Sequence, residues 1–336
     1  MRKIGLIARA DVKGGLGIQT YRLNRLLKPD KVMLIDSSSF NGNQQYPELY
    51  DDVEAINGFP TPEQIADFCK QVDIVISCET FYSDYFVDIA RANNTKTILI
   101  FNYEFLDQLN RPHLSLPDKL IQPSYWYLDE MKTRFNAEYL PTPIFEDEFE
   151  KAREINLKRT GRKFLFMNGK TAAEDRNGLQ SLYRALELSK GDFTVTVKAQ
   201  NDVPKHPDPR LIYDFTNPEN QNDLYEGFDC LIQPRRYGGQ TLSMTEALQS
   251  AMPVIMTDIE PNNKVLPKEW LVPAKVNGQL MTRIMLDVYD ANSGSLADML
   301  DTTFVTKEGK KKACAIGKQY DAETLRSEYE ALLSSL

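Results

Sequence analysis

The chain has 336 residues, 42% apolar and 26% charged, which is the balance of an ordinary globular protein and excludes disordered and fibrous classes. Its 40 Lys+Arg and 48 Asp+Glu give a net charge of -8. All of that excess falls in residues 1–150, with 15 Lys+Arg against 23 Asp+Glu, which disfavours a broad nucleic-acid face there.

No apolar run approaches the ~18 residues of a membrane span. Four scattered cysteines and only His113 and His206 offer no metal-ligand spacing and read as reduced thiols. The opening MRKIGLIARAD runs straight into a strand, predicting no secretory leader and a cytoplasmic protein. Apolar strand candidates follow at Lys3–Ala8, Lys31–Ile35, Asp73–Ser77, Thr97–Phe101 and Lys119–Gln122. Helical patterns such as Gln64–Lys70 and Tyr82–Ala92 lie between them, and a further helix is expected at Tyr125–Phe135. Continuous apolar strands separated by helices predict a parallel sheet covered on both faces. Glu138–Glu150, with two prolines and five carboxylates, breaks the rhythm and reads as a linker.

The rhythm then restarts at Lys163–Met167, Phe193–Lys198, Arg210–Asp214, Cys230–Gln233 and Pro253–Met256, with helices near 178–188, 221–227 and 242–251. An amphipathic helix, Tyr320–Leu336, closes the chain with Leu325, Tyr329, Leu332 and Leu333 on one face. The expected division is 1–145, 151–316 and a terminal helix 317–336. Two doubly wound α/β units would bind ligands at the carboxyl ends of their strands, in a cleft between them.

Three motifs fall at such strand ends. Lys13-Gly14-Gly15-Leu16-Gly17 lies between the first strand and a helix, where glycines admit close approach and a helix N-terminus attracts an anion. Gly15-x-Gly17-x-x-Thr20, with Asp36 ending the second strand, is also a near miss to the dinucleotide fingerprint, whose third glycine is Thr20 here. In the second half, Asn168-Gly169-Lys170 and Asp175-Arg176-Asn177-Gly178 bring Lys170 and Arg176 to a strand end and a helix start, a pairing suited to a diphosphate.

The third motif is the most informative. Gln233-Pro234-Arg235-Arg236-Tyr237-Gly238-Gly239-Gln240-Thr241-Leu242 joins a strand to a helix through a glycine turn. Amides of Gly239 to Leu242 would hold a phosphate, and Glu246, a turn deeper on the buried side, would accept hydrogen bonds from a ribose diol.

Across nearly the whole chain this arrangement resembles the GT-B glycosyltransferases, specifically the retaining, GT4-like group. The resemblance is strongest over Gln233–Asp258. It implies two Rossmann-like domains facing each other across a cleft, the C-terminal helix returning to the first. It also implies a nucleotide-diphosphate sugar held by the second domain and an acceptor held by the first. On it, Glu246 binds the ribose, Lys170 and Arg176 the diphosphate, and Gly15, Gly17 and Gly239–Thr241 give amides to phosphate and sugar.

Two departures stand out. The family's first glutamate, eight positions before Glu246, is Gly238 here, so donor-sugar recognition must differ, with Arg235, Arg236 or Gln240 as candidates. The family's late N-domain histidine is replaced by Asn102-Tyr103-Glu104, where Glu104 is the candidate acceptor-side carboxylate. The expectation is sugar transfer with retention, no cofactor and no metal, consistent with the absence of any Asp-x-Asp. Glu104, Lys170 and Arg176 would be catalytic. Two other readings stand beside it: an NAD(P)-dependent oxidoreductase using Gly15, Gly17 and Asp36, and a nucleotide-sugar-binding protein without activity. The donor base and sugar stay open, as does the acceptor, whether glycan, lipid-linked, protein or modified DNA.

Overall fold

The structure is a computed structural model that describes residues 2–38, 42–169, 174–239 and 241–336. Two of the residues singled out above, Lys170 and Gln240, lie outside the described residues. The chain divides into two compact units, Met1–Pro143 with Ala322–Leu336, and Ile144–Asp321.

The first unit is built on seven parallel strands: β1 (Ile4–Arg9), β2 (Lys31–Asp36), β3 (Val53–Asn57), β4 (Ile74–Cys78), β5 (Lys96–Ile100), β6 (Lys119–Gln122) and β7 (Glu138–Tyr139). Their spatial order, β3-β2-β1-β4-β5-β6-β7, means that the chain winds outward from β1 to β3 and then returns to the other side of β1. All five residues of β4 are buried, as a strand covered on both faces requires. β3 was not anticipated. It reads Val-Glu-Ala-Ile-Asn, buries only Ile56 and lies at the sheet edge, so it lacks the apolar run that marks its neighbours.

The helix Ala322–Ser334 belongs to this unit. Leu325, Tyr329 and Leu332 are buried, each worth roughly 1.5–3 kcal/mol. The Tyr329 hydroxyl donates to the Pro141 carbonyl at 3.0 Å, and Arg326 donates to the Leu26 carbonyl at 3.3 Å.

The second unit repeats the plan with β8 (Lys163–Gly169), β9 (Thr194–Ala199), β10 (Leu211–Asp214), β11 (Cys230–Gln233), β12 (Val254–Thr257) and β13 (Leu271–Val272), in the order β10-β9-β8-β11-β12-β13. One apolar cluster, including Phe164, Phe166, Leu182 and Leu296, and a second, including Leu165, Leu231, Leu248 and Tyr320, form the core. An antiparallel hairpin, β14 (Ala274–Met281) and β15 (Met285–Ala291), was also missed, because β14 is mostly exposed and carries no clean alternation. The segment read as a linker contains β7, and the helix expected from Tyr82 begins at Phe86, since Tyr82 has a left-handed φ of 59°. Among the described residues, no helix is long and apolar enough to cross a membrane.

At the amino ends of β8 and β11 the unit buries charge. Asp229, 1% exposed, accepts the Lys163 amide at 2.9 Å, with Lys310 Nζ and Arg159 Nε each 3.7 Å from its other oxygen. Burial lowers the Lys310 pKa, and Asp229 opposes the shift. Removing Asp229 strands the Lys310 ammonium, fully buried, without its counter-charge, whereas Arg159 reaches solvent. Asp229→Ala is therefore expected to cost about 3–5 kcal/mol. In urea unfolding, adding Lys310→Met should recover part of that loss, because the two sites are coupled.

Candidate functional site

A doubly wound sheet leaves one place where strand order reverses and no crossover helix closes over the carboxyl ends. In the second unit that place lies between β8 and β11, and the second and third motifs occupy the segments that follow those two strands. Buried Gln233, the last residue of β11, ties them together. Its amide donates to the Met167 carbonyl at 2.9 Å and to Asn177 Oδ1 at 3.1 Å, and its oxygen accepts from Ser243 at 2.8 Å. Asn177 in turn donates to the Asn168 carbonyl at 2.7 Å. One side chain thus locks both strand ends to the helix Leu242–Gln249.

The two helices starting here differ in one decisive respect. Asp175 caps Leu179–Leu188, its carboxylate accepting the amides of Leu179 and Gln180 at 2.8 and 2.9 Å. Burial raises the Asp175 pKa against the pull of those amides. By contrast, Leu242–Gln249 has no acid in its first turn, and Thr241 makes no side-chain cap. Its positive end keeps the electrostatic character that attracts an anion.

Around that end the arginines sort into two kinds. Arg236 is engaged at the hairpin: its guanidinium donates to Asp290 Oδ1 and to the Glu174 carbonyl, both at 2.9 Å. Arg235, 5% exposed, donates to the Gly239 carbonyl at 3.1 Å and to the Thr241 hydroxyl. Arg176 lies over the Tyr237 ring, 5.4 Å from its centroid. Gly238, with φ 115°, makes their approach possible: a Cβ there would sit 2.4 Å from an Nη2 atom of both Arg176 and Arg235.

Glu246 is buried at 3% exposure, and so is not a surface acid of the helix. The buried Tyr225 hydroxyl donates to its Oε2 at 2.6 Å, and Gln221 Nε2 lies 3.4 Å from each oxygen. Tyr225 escaped the sequence reading, and Gln233 was read only as the first residue of the third motif, with no role assigned. The only signal for Gln233 was its place as the last residue before the glycine turn.

In the first unit the reversal lies between β1 and β4. The helix Gly15–Leu27 packs tightly on the loop before it, for a Cβ on Gly17 would stand 2.1 Å from the Asp11 carbonyl. Thr20, in place of the fingerprint's third glycine, is buried and its hydroxyl accepts the Arg9 amide at 3.1 Å. Asp11 lies against Gly14, held by Arg9 at 2.7 and 2.9 Å and by Asn43 at 2.8 Å. A carboxylate beside that glycine loop opposes a pyrophosphate, which weighs against the dinucleotide reading. Asp36 accepts the Ser38 amide, and hydrogen bonding with Ser38 lowers its pKa.

Glu104 sits in the short 3-10 turn Tyr103–Phe105 after β5. Its neighbour Asn102 donates to Glu79 Oε1 at 2.7 Å, and Glu79 has a left-handed φ of 62° just past β4. Glu79 was not singled out from sequence, although its position at a strand end was available. Among the described residues, no group of three or more His, Cys, Asp or Glu is placed to hold a metal ion.

No family model and no curated protein sequence matches the chain. Solved structures do, at low identity and over full length. A glycosyltransferase from Rickettsia africae superposes with TM-score 0.66 at 15% identity, covering 98% of this chain and 97% of its own. Anabaena HepE in complex with UDP and glucose gives TM-score 0.66 at 13% identity over 100% of both chains. Sucrose-phosphate synthase from Thermosynechococcus elongatus gives TM-score 0.66 at 13% identity over 100% of this chain and 99% of its own. The fold is therefore GT-B, two Rossmann-like α/β units.

Two substitutions probe this geometry. Gly238→Ala should destabilise the second unit by about 1–3 kcal/mol, since φ 115° and two guanidinium groups oppose a methyl. Tyr225→Phe should cost about 1.5–3 kcal/mol by removing a hydrogen bond to a carboxylate. Urea midpoints of both variants measure the losses.

Proposed function

We propose that this chain is a glycosyltransferase that moves a sugar from a nucleotide-diphosphate sugar to an acceptor. One observation carries the reading: at the strand reversal of the second unit, a buried carboxylate sits one turn inside an uncapped helix whose N-terminus two arginines approach. Carboxylate, helix end and cations are the three partners that ribose, diphosphate and leaving-group charge require. The GT-B fold, and UDP and glucose bound to HepE, support the same conclusion.

Glu246 binds the ribose diol in this proposal. Tyr225 fixes one of its oxygens, and the long Gln221 contacts are the ones a diol replaces. Gly239, Thr241 and Leu242 offer backbone to the diphosphate. Lys170 and Arg176 stabilise the charge that develops as the bond from the anomeric carbon to the diphosphate oxygen breaks. The acceptor oxygen forms the new bond, and its proton passes to the leaving diphosphate on the same face. Transfer then proceeds with retention, as in GT4-like enzymes, with cations of the chain in place of a metal and with no cofactor. In the first unit, Glu104 positions the acceptor. The acidity of residues 1–150 favours a glycan, lipid-linked or protein acceptor over DNA.

Thermal shift with UDP, GDP, ADP and NAD tests the assignment. A nucleoside diphosphate at 100 times its Kd should add about 2.7 kcal/mol of stability. Stabilisation by NAD alone would sink the proposal. Glu246→Ala and Lys170→Ala should each weaken nucleotide affinity about tenfold or more while leaving the fold intact, each tenfold being about 1.4 kcal/mol. Unchanged affinity in both would remove these residues from the site. Mass-spectrometric detection of transferred or hydrolysed sugar separates an enzyme from a binding protein.

A further inference from the structure

We infer that Asn277 is a deamidation site, and that its conversion to an acid loosens the loop that follows β11. This covalent change goes beyond the proposed sugar transfer and does not depend on it. Asparagine followed by glycine is the pair most open to the reaction, because a glycine amide approaches the asparagine carboxamide with no side chain in the way. The chain has five such pairs, beginning at Asn41, Asn57, Asn168, Asn177 and Asn277. Asn41 lies outside the described residues.

The fold separates the other four. The Gly58 amide donates to the Asp36 carbonyl at 3.2 Å and the Gly178 amide to the Asp175 carbonyl at 3.0 Å, so both nucleophiles are occupied. Asn168 is 6% exposed within β8, away from the water that the reaction consumes. Asn277 and Gly278 are both exposed in β14. The ladder to β15 shifts register between Val276 and Gln279 and gives neither residue a facing partner, which frees the backbone locally. Gly278 has a φ of 116°, and nothing stands within 4 Å of where its Cβ would be. In the reaction the Gly278 nitrogen bonds to Asn277 Cγ and the Cγ–Nδ2 bond breaks. Ammonia leaves with the proton that the Gly278 amide gives up. Water then opens the cyclic imide at one of its two carbonyls, giving aspartate or isoaspartate.

What the Asn277 carboxamide holds sets the consequence. Its Nδ2 donates to Asp290 Oδ2 at 2.6 Å, while Asp290 Oδ1 accepts from Arg236 Nε at 2.9 Å. Arg184, on the helix Leu179–Leu188, lies 3.6 Å from the same Oδ2. Arg236 in turn joins two loops: its guanidinium donates to the Glu174 carbonyl and its backbone amide to the Arg176 carbonyl, both at 2.9 Å. Deamidation takes a donor away from Asp290 and sets a second carboxylate against it. Two acids then compete for Arg236 and Arg184. The Asp290 and Arg236 side chains are only 16% and 21% exposed, so solvent and salt screen that repulsion less than on an open surface.

Mass-spectrometric peptide mapping of the wild-type protein, aged in mildly alkaline buffer at physiological temperature, tests the site. The peptide carrying Asn277 should show the amide-to-acid mass gain sooner than those carrying Asn57, Asn168 or Asn177, and as two separable forms, aspartate and isoaspartate. Asn277→Gln should abolish the gain there, because the longer glutamine side chain closes its ring far more slowly. An Asn277 carboxamide that persists, or that converts later than Asn57, Asn168 or Asn177, overturns the assignment. Urea unfolding reads the consequence. Asn277→Asp should unfold at lower urea than Asn277→Ser, which removes the donor without adding charge, and molar salt should narrow the gap. Equal midpoints, or a gap that salt leaves unchanged, overturn the loosening. Hydrogen exchange on the aged wild-type protein reads the same effect without any substitution. The amides of Arg236 and Tyr289, which bond to Arg176 and Arg236 carbonyls, should exchange faster after conversion, and unchanged rates there also overturn the loosening.

Discussion

A parallel sheet wound in two directions must leave a gap at the strands where the winding reverses, because successive crossover helices depart to opposite faces there. Each unit of this chain has one such gap, at β1/β4 and at β8/β11. Asp11 follows β1, and Asn168, Asn177, Gln233 and Arg235 lie at or after the ends of β8 and β11. Without the reversal, Gln233 could not join the ends of β8 and β11 to the helix Leu242–Gln249, and Arg176 and Arg235 would not meet.

The two gaps are furnished differently, and the difference separates their chemistry. In the first unit the glycine loop is backed by Asp11, itself held by Arg9 and Asn43. In the second, the loop's own side chains are cationic; the helices that follow the two loops, Gly15–Leu27 and Leu242–Gln249, both lack a side-chain cap. At the adjacent helix, the Asp175 carboxylate already occupies the amides of Leu179 and Gln180.

The architecture was legible in the sequence wherever strands are buried on both faces, because β1, β2, β4, β5, β8, β11 and β12 read as short apolar runs. Edge elements were read unevenly: β10 was anticipated at Arg210–Asp214, whereas β3, with two polar residues among five, and the hairpin β14/β15, half in solvent, were missed. Glu246 and the glycine turn could be read because they lie within one strand–turn–helix unit, at local spacing. Tyr225, Gln233's clamp on Asn177, and the meeting of Arg176 with Arg235 join residues far apart in sequence. No local pattern encodes those pairings; the sheet order does. The near-fingerprint at Gly15 and Gly17 had the right spacing, and only the position of Asp11 shows what that loop faces.

The central claim is that one strand reversal, that of β8 and β11, holds the nucleotide. Hydrogen–deuterium exchange in the presence of saturating UDP, GDP or ADP tests it without any substitution. The account predicts slowed exchange at the amides of Gly239 to Ser243 and around Arg176, with the helix Gly15–Leu27 of the first unit affected less. Protection confined to Gly14–Ile18, with none in the β11–helix segment, would contradict it.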